Sequence, residues 1–372
     1  MKKLCLPVAL LALLLGGCAT PQTLGLRQAP PAAENAVVEL KDVPFFAQED
    51  HQCGPAALAA MLQHSGRPLS PEALTEQVYL PGRKGSLAVE LAAAARRQGR
   101  LVYSIAPQLE ALLAALHQGH PVLVLQNNGL RLIPFWHYAV VVGADREREV
   151  FILRSGRTER LEVPFTTFER TWARADYLGL LVLDPAAVPD TLDARAVIRE
   201  LALMERAGAV TDAQAGFNRA LLNWPEQRSA WVGLASTSMR LGETDRAEST
   251  LRELVRRAPD YGPGLNNLAD LLMKTGRPLE ALPLAQRAVA VLDIPATRAT
   301  LQAAHQAVEP VQSEALPPLQ NQPAPVAEKQ GLAPSPKGKV RKAAAKRKTG
   351  KTVRRTATKE VKPVAESSQA KP

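Results

Sequence analysis

The sequence predicts an α+β domain, then an all-helical repeat array, then a basic tail without regular structure. Three observations carry this prediction. Helical patterns precede strand patterns between Val37 and Asp184, small residues recur at a fixed 34-residue interval after Pro189, and large apolar residues almost vanish from about Gln306. With 372 residues, 46% of them hydrophobic, the chain is long and apolar enough for two or three cores, which excludes a wholly disordered protein.

At the N-terminus, Lys2 and Lys3 precede an apolar run from Leu4 to Leu15, followed by Gly16-Gly17-Cys18. The run is too short to span a bilayer as a helix, which takes about 20 residues. A positive start, a short apolar core and small residues before a cut site form a secretory signal. The small-small-Cys ending resembles a bacterial lipobox. That resemblance implies a signal peptide over residues 1–17, a lipidated Cys18 at the mature N-terminus, and a cell-envelope location, in the outer membrane facing the periplasm. Residues 18–36, with Pro21, Pro30 and Pro31, read as a tether.

Residues 37–184 form the mixed domain. A helix is expected from Cys53 to Gly66, with Leu58, Met61 and Leu62 on one side. Ser70-Pro71-Glu72 supplies a capping serine and a first-turn proline for a second. Ser86 and Pro107 open two more, ending at Gly99 and Gly119. Apolar, β-branched runs at Pro121–Leu125, Tyr138–Val142, Val150–Leu153 and Leu178–Leu183 read as strands, two of them bounded by Asn127-Asn128-Gly129 and Gly143-Ala144-Asp145.

Beyond Pro189, Gly208, Gly242 and Gly276 lie 34 apart, as do Ala213, Ala247 and Ala281, while Pro225 and Pro259 share the interval. Small residues let the two helices of a hairpin approach, glycine turns the chain between them, and each hairpin needs a neighbour to cover its apolar face. With Trp231, Leu234, Ala235, Leu251 and Leu254 in register, residues 194–296 resemble three tetratricopeptide repeats. This implies a protein partner held on the repeats.

The net charge of +10 belongs to the end of the chain. Residues 337–372 hold 13 Lys+Arg and 2 Asp+Glu, leaving 33 basic and 34 acidic residues in all the rest. Residues 306–372 therefore read as a disordered tail whose polycation touches anionic envelope surfaces. Without interleaved aromatics, it does not suggest specific nucleic-acid binding.

Of the three cysteines, Cys5 leaves with the signal and Cys18 carries lipid, so Cys53 is the sole free thiol of the mature chain. A thiol at a helix N-terminus lies against the positive end of the helix dipole, which favours the nucleophilic thiolate. Gln48, five residues earlier, stands where a side-chain N–H could hold an oxyanion. Among six histidines, His137 opens the apolar strand Tyr138-Ala139-Val140-Val141-Val142 and is the candidate base. His64, His117 and His120 fall at helix ends, without carboxylates or cysteines at metal-ligand spacing, and no phosphate-cradling glycine motif is present. No metal or cofactor is expected.

Gln48 with Cys53-Gly54-Pro55, the Gly119-His120-Pro121-Val122 turn and His137-Tyr138-Ala139-Val140-Val141 together resemble papain-like cysteine peptidases, in particular the group that processes double-glycine leaders. The resemblance implies a peptide or protein substrate, Cys53 as nucleophile, His137 as base and then acid, and Gln48 as oxyanion donor. In that group an aspartate ends the strand after the histidine. Here that strand reads Val150-Phe151-Ile152-Leu153-Arg154-Ser155-Gly156, which offers the Ser155 hydroxyl as orienter, with Asp145, a backbone carbonyl or water as alternatives. A peptidase-like adaptor without catalysis, and acyl or amide transfer by the same thiol, are the competing functions.

Overall fold

The computed structural model describes residues 20–29, 36–47 and 52–315. The signal segment, Cys18, Gln48 and the basic tail from residue 316 onward lie outside these residues.

Seven antiparallel strands form one sheet. They are β1 (Val37–Glu39), β2 (Leu101–Ser104), β3 (Val122–Asn127), β4 (Trp136–Asp145), β5 (Val150–Ser155), β6 (Thr158–Pro164) and β7 (Gly179–Leu183). Their order is β2-β7-β3-β4-β5-β6, with β1 paired to the far end of β4. The ten-residue β4 is the spine: β3 flanks it from Trp136 to Val141, β1 takes over from Gly143 to Asp145, and β5 runs along its other side. Gly143 permits the handover, because a Cβ there would stand 2.5 Å from the Val38 carbonyl oxygen.

Period-two alternation sends side chains of β4 to two cores. Tyr138, Val140 and Val142 pack under α2 (Cys53–His64), α3 (Pro71–Val78) and α4 (Ala88–Arg97). Every residue of α2 from Gly54 to Leu62 is buried, since its alanines let the helix lie flat between sheet and neighbouring helices. Ala139, Val141 and Ala144 face the opposite core, under α5 (Leu109–His117) and α6 (Phe165–Ala173). On α6, Phe165 and Phe168 set their ring centroids 4.4 and 4.6 Å from that of Phe151. β1, β2, β6 and α6 go beyond the elements read from the sequence.

The stretch expected as a tether contains a docked helix, α1 (Pro21–Gln28), which buries Thr23 and Leu26. The buried Glu169 carboxylate on α6 accepts from the Gln22 and Thr23 amides and, at 2.6 Å, from the Thr23 hydroxyl. It thus satisfies amides that a helix N-terminus leaves without partners.

Three helical hairpins follow: α7 (Ala194–Arg206) with α8 (Val210–Asn223), α9 (Arg228–Arg240) with α10 (Thr244–Arg257), and α11 (Gly262–Lys274) with α12 (Pro278–Val291). Gly208, Gly242 and Gly276 turn them at φ +93°, +78° and +75°, a region that glycine enters without steric cost. The first hairpin shares the domain's second core, where Leu201, Met204 and Phe217 join Leu181 and Leu183. A last helix, α13 (Pro295–Ala315), runs ten residues into the stretch expected to be disordered. Its Ala304 and Val308 are buried, and Ala304 belongs to the repeat core, because a terminal repeat needs a cap over its apolar face.

Candidate active site

Cys53 is the first residue of α2, half-buried, with its side chain against the Tyr138 core. The backbone N–H groups of Tyr138, Gly54 and Cys53 itself favour its thiolate. The Tyr138 contact matters most for the chemistry, since the preceding residue in β4 is His137. Strand and helix N-terminus thereby meet with thiol and imidazole on one cleft of about 960 Å³.

His137 is anchored. Its Nε2 lies 2.8 Å from Oγ of Ser155, the last residue of β5 and itself buried. The other ring nitrogen, Nδ1, is left for proton exchange. Asp145, an alternative partner, sits at the opposite end of β4, about 26 Å away along the strand at roughly 3.3 Å per residue. There its Oδ1 accepts from the amides of Glu147 and Arg148 and closes a turn. Gln48 lies outside the described residues.

Burial dominates both titrations. It pushes the Cys53 thiol above its ordinary value, with the backbone N–H groups of Tyr138, Gly54 and Cys53 only partly opposing it. It also pushes His137 below the ordinary imidazole value. Both shifts favour the uncharged forms, thiol and neutral imidazole. The helix terminus favours the thiolate, as expected, but burial opposes it, and among the described residues no carboxylate hydrogen-bonds to His137.

Several positioning residues escape a reading of the sequence. Arg154, buried beside Ser155, donates from Nε to the Val43 carbonyl at 3.2 Å and from Nη1 to the Glu159 carbonyl at 2.8 Å. It fastens the segment leading to Cys53 onto β5. Asn127 Oδ1 accepts from the Gly129 and Phe135 amides, and its carbonyl accepts from the Arg174 guanidinium, which pins the β3–β4 hairpin beside the cleft. Ser86 lines the cleft with a buried hydroxyl that has no partner among the described residues. The short stretch Arg83-Lys84-Gly85-Ser86 was the available signal: a compact basic turn ahead of a helix.

Away from the cleft, His64 Nδ1 lies 3.3 Å from the Asp42 carboxylate and its Nε2 lies 3.2 Å from the Gly119 carbonyl oxygen. These contacts tie the C-terminal end of α2 to the turn before β3.

Residues 40–180 match the model of the Peptidase_C39 like family. Among solved structures, a protein from Bacillus anthracis described as a C39-like peptidase aligns over 40% of this chain and 97% of its own, at 18% identity and a TM-score of 0.34. The tetratricopeptide-repeat domain of Sgt2 from Aspergillus fumigatus aligns over 37% of this chain and 92% of its own, at 14% identity and a TM-score of 0.32. No curated protein matches the chain. With a helix-borne cysteine and a strand-borne histidine meeting inside the matched segment, and three hairpins turning at glycines 34 residues apart behind it, the chain joins a C39-like peptidase domain to tetratricopeptide repeats.

Proposed function

We propose that the chain is an envelope-anchored cysteine peptidase that hydrolyses peptide bonds through Cys53 and His137. The observation that carries the reading is that Cys53 and His137 line one cleft, with the His137 Nε2 hydrogen-bonded to Ser155. His137 donates Nε2–H to Ser155 and presents the Nδ1 lone pair. As Cys53 Sγ attacks the scissile carbonyl, Nδ1 takes the thiol proton, then delivers it to the leaving amine as the C–N bond breaks. Water, deprotonated by the same nitrogen, opens the thioester, releasing the carboxylic acid and restoring the thiol. Gln48, as the resemblance implies, donates to the oxyanion.

In this reading Cys18 carries lipid and holds the domain at the membrane, facing the periplasm. The repeats hold a protein partner or substrate, and the basic tail contacts anionic envelope surfaces. Lys2-Lys3, the apolar run and Gly16-Gly17-Cys18 support the anchor; the hairpin array supports the binding role.

A second reading, a non-catalytic adaptor acting through the repeats, draws support from the burial of both groups, which disfavours the thiolate–imidazolium pair, with no carboxylate hydrogen-bonded to His137 among the described residues. A pool of peptides bearing an electrophilic carbonyl-site warhead separates the two at neutral pH. The peptidase reading expects labelling at Cys53 that falls about 100-fold or more in His137→Ala, as loss of a general base does. The adaptor reading expects labelling no faster than that of the denatured chain.

A further inference from the structure

Three cations face the cleft without hydrogen-bond or ion-pair partners among the described residues. Arg83 and Lys84 stand on the turn before α4, and Arg157 stands on the β5–β6 turn. Among the described residues none of the three makes an ion pair, whereas Arg27, Arg67, Arg96, Arg148 and Arg160 elsewhere in the domain are all paired with carboxylates. No Asp or Glu among the described residues lines the cleft. Lys84 is held at φ +49°, a left-handed conformation uncommon for a side-chain-bearing residue. The Leu80–Gly85 bridge closes the turn around it. Such strain persists where surrounding structure imposes it, and it clusters at ligand-binding sites.

Another part of the cleft lining is apolar and exposed. Phe135 and Trp136 are 66% and 52% exposed, and the hairpin tip above them carries Leu132 at 95%. Exposed large apolar side chains grouped on one hairpin are a candidate surface for an apolar ligand. The Ser86 hydroxyl, which also lines the cleft, has no hydrogen-bond partner among the described residues.

We propose that the cleft takes an acidic peptide, with Asp or Glu side chains meeting Arg83, Lys84 and Arg157 and a large apolar side chain resting on Phe135 and Trp136. This rests on the peptidase reading and names its substrate class. The amide-rich strand of a peptide satisfies Ser86 and reaches a nucleophile set in a cleft; a flat anionic bilayer does neither. Like charges converging on one concave site raise the local concentration of anions, and the effect is screened by salt.

Protection of Cys53 locates the binding. The purified full chain is treated with iodoacetamide in the presence of a short peptide carrying Phe, Leu and several aspartates, or of the same peptide with lysines for aspartates. Alkylation is read at Cys53 by peptide mass spectrometry. The acidic peptide is expected to protect at about tenfold lower concentration, the combined worth of two or three exposed ion pairs. A Lys84→Glu/Arg157→Glu variant, which leaves the basic tail intact and whose fold is checked by circular dichroism, should reverse the preference. Equal protection by both peptides overturns the proposal, as does an acidic preference that survives in the variant. Protection by phosphatidylglycerol vesicles and not by peptides overturns it too, in favour of a lipid surface. The two readings fail separately. An acidic peptide that protects Cys53 but is never cut sinks the peptidase and leaves the cleft, while cutting without charge preference sinks the acidic cleft and leaves the peptidase.

Discussion

At the scale of single residues, the hydrogen bond from His137 to Ser155 decides how the candidate pair works. A hydroxyl fixes the ring but gives an imidazolium little of the support that a carboxylate gives, and burial already holds His137 below its ordinary value. The neutral, base-competent imidazole therefore persists as the pH falls, and the acid limb of any Cys53-dependent rate is expected below about pH 6.5. Ser155→Ala should lower that rate about tenfold, the worth of one hydrogen bond, without shifting Cys53 itself. Ser155→Asp places a negative charge beside the ring, raises the His137 value, and should move the acid limb upward. A pH–rate profile of the three proteins checks both statements, and an unmoved limb in Ser155→Asp would dissociate Ser155 from the imidazole. The places of Cys53 and Ser155 in the fold were legible because each sits in a short local pattern, a helix start and a strand end. Arg154 was not: its partner, the Val43 carbonyl, lies 111 residues earlier, and no local pattern announces it.

At the scale of elements, the close seating of α2 against the turn before α4 depends on Gly54. A Cβ there would stand 2.9 Å from Cβ and Oγ of Ser86, so Gly54→Ala should cost about 1–3 kcal/mol of stability and displace the nucleophile's helix. Denaturant unfolding measures the first effect and Cys53 labelling the second. Helix α1 is a different lesson. Its sequence, with two prolines nearby and a glycine inside, reads as linker; the Glu169 carboxylate, 146 residues away, supplies what its own termini lack. Glu169→Gln should weaken this cap, and hydrogen exchange should then quicken over residues 21–28 before anywhere else in the domain. Unchanged exchange there would mean that apolar contacts of Leu26, not the cap, hold the helix. The repeats, by contrast, were readable in outline because their 34-residue interval is written in Gly, Ala and Pro, whose small size and turning roles are local. Their cap was not, since α13 carries few large apolar residues and stands outside the 34-residue interval.

At the scale of the whole molecule, the C39-like domain and the first hairpin are one folding unit. Leu201, Met204 and Phe217 complete a core begun by the sheet, and Arg96–Glu200 and Arg67–Asp212 pairs at 2.8 and 2.6 Å cross the same junction. Leu201→Ala, about 2–5 kcal/mol by the cost of a buried cavity, should lower the unfolding midpoint of domain and repeats together. Two separated transitions would contradict the shared core.

The central claim is that Cys53 and His137 cut peptides, and cleavage-site mapping tests it most directly. A proteome-derived peptide mixture is incubated with the wild-type chain, Cys53→Ala and His137→Ala, and new N-termini are sequenced. The account predicts a defined set of cleavages by the wild type, none by Cys53→Ala, and a loss of about 100-fold or more in His137→Ala. No new termini from the wild type, or the same set from Cys53→Ala, would contradict it.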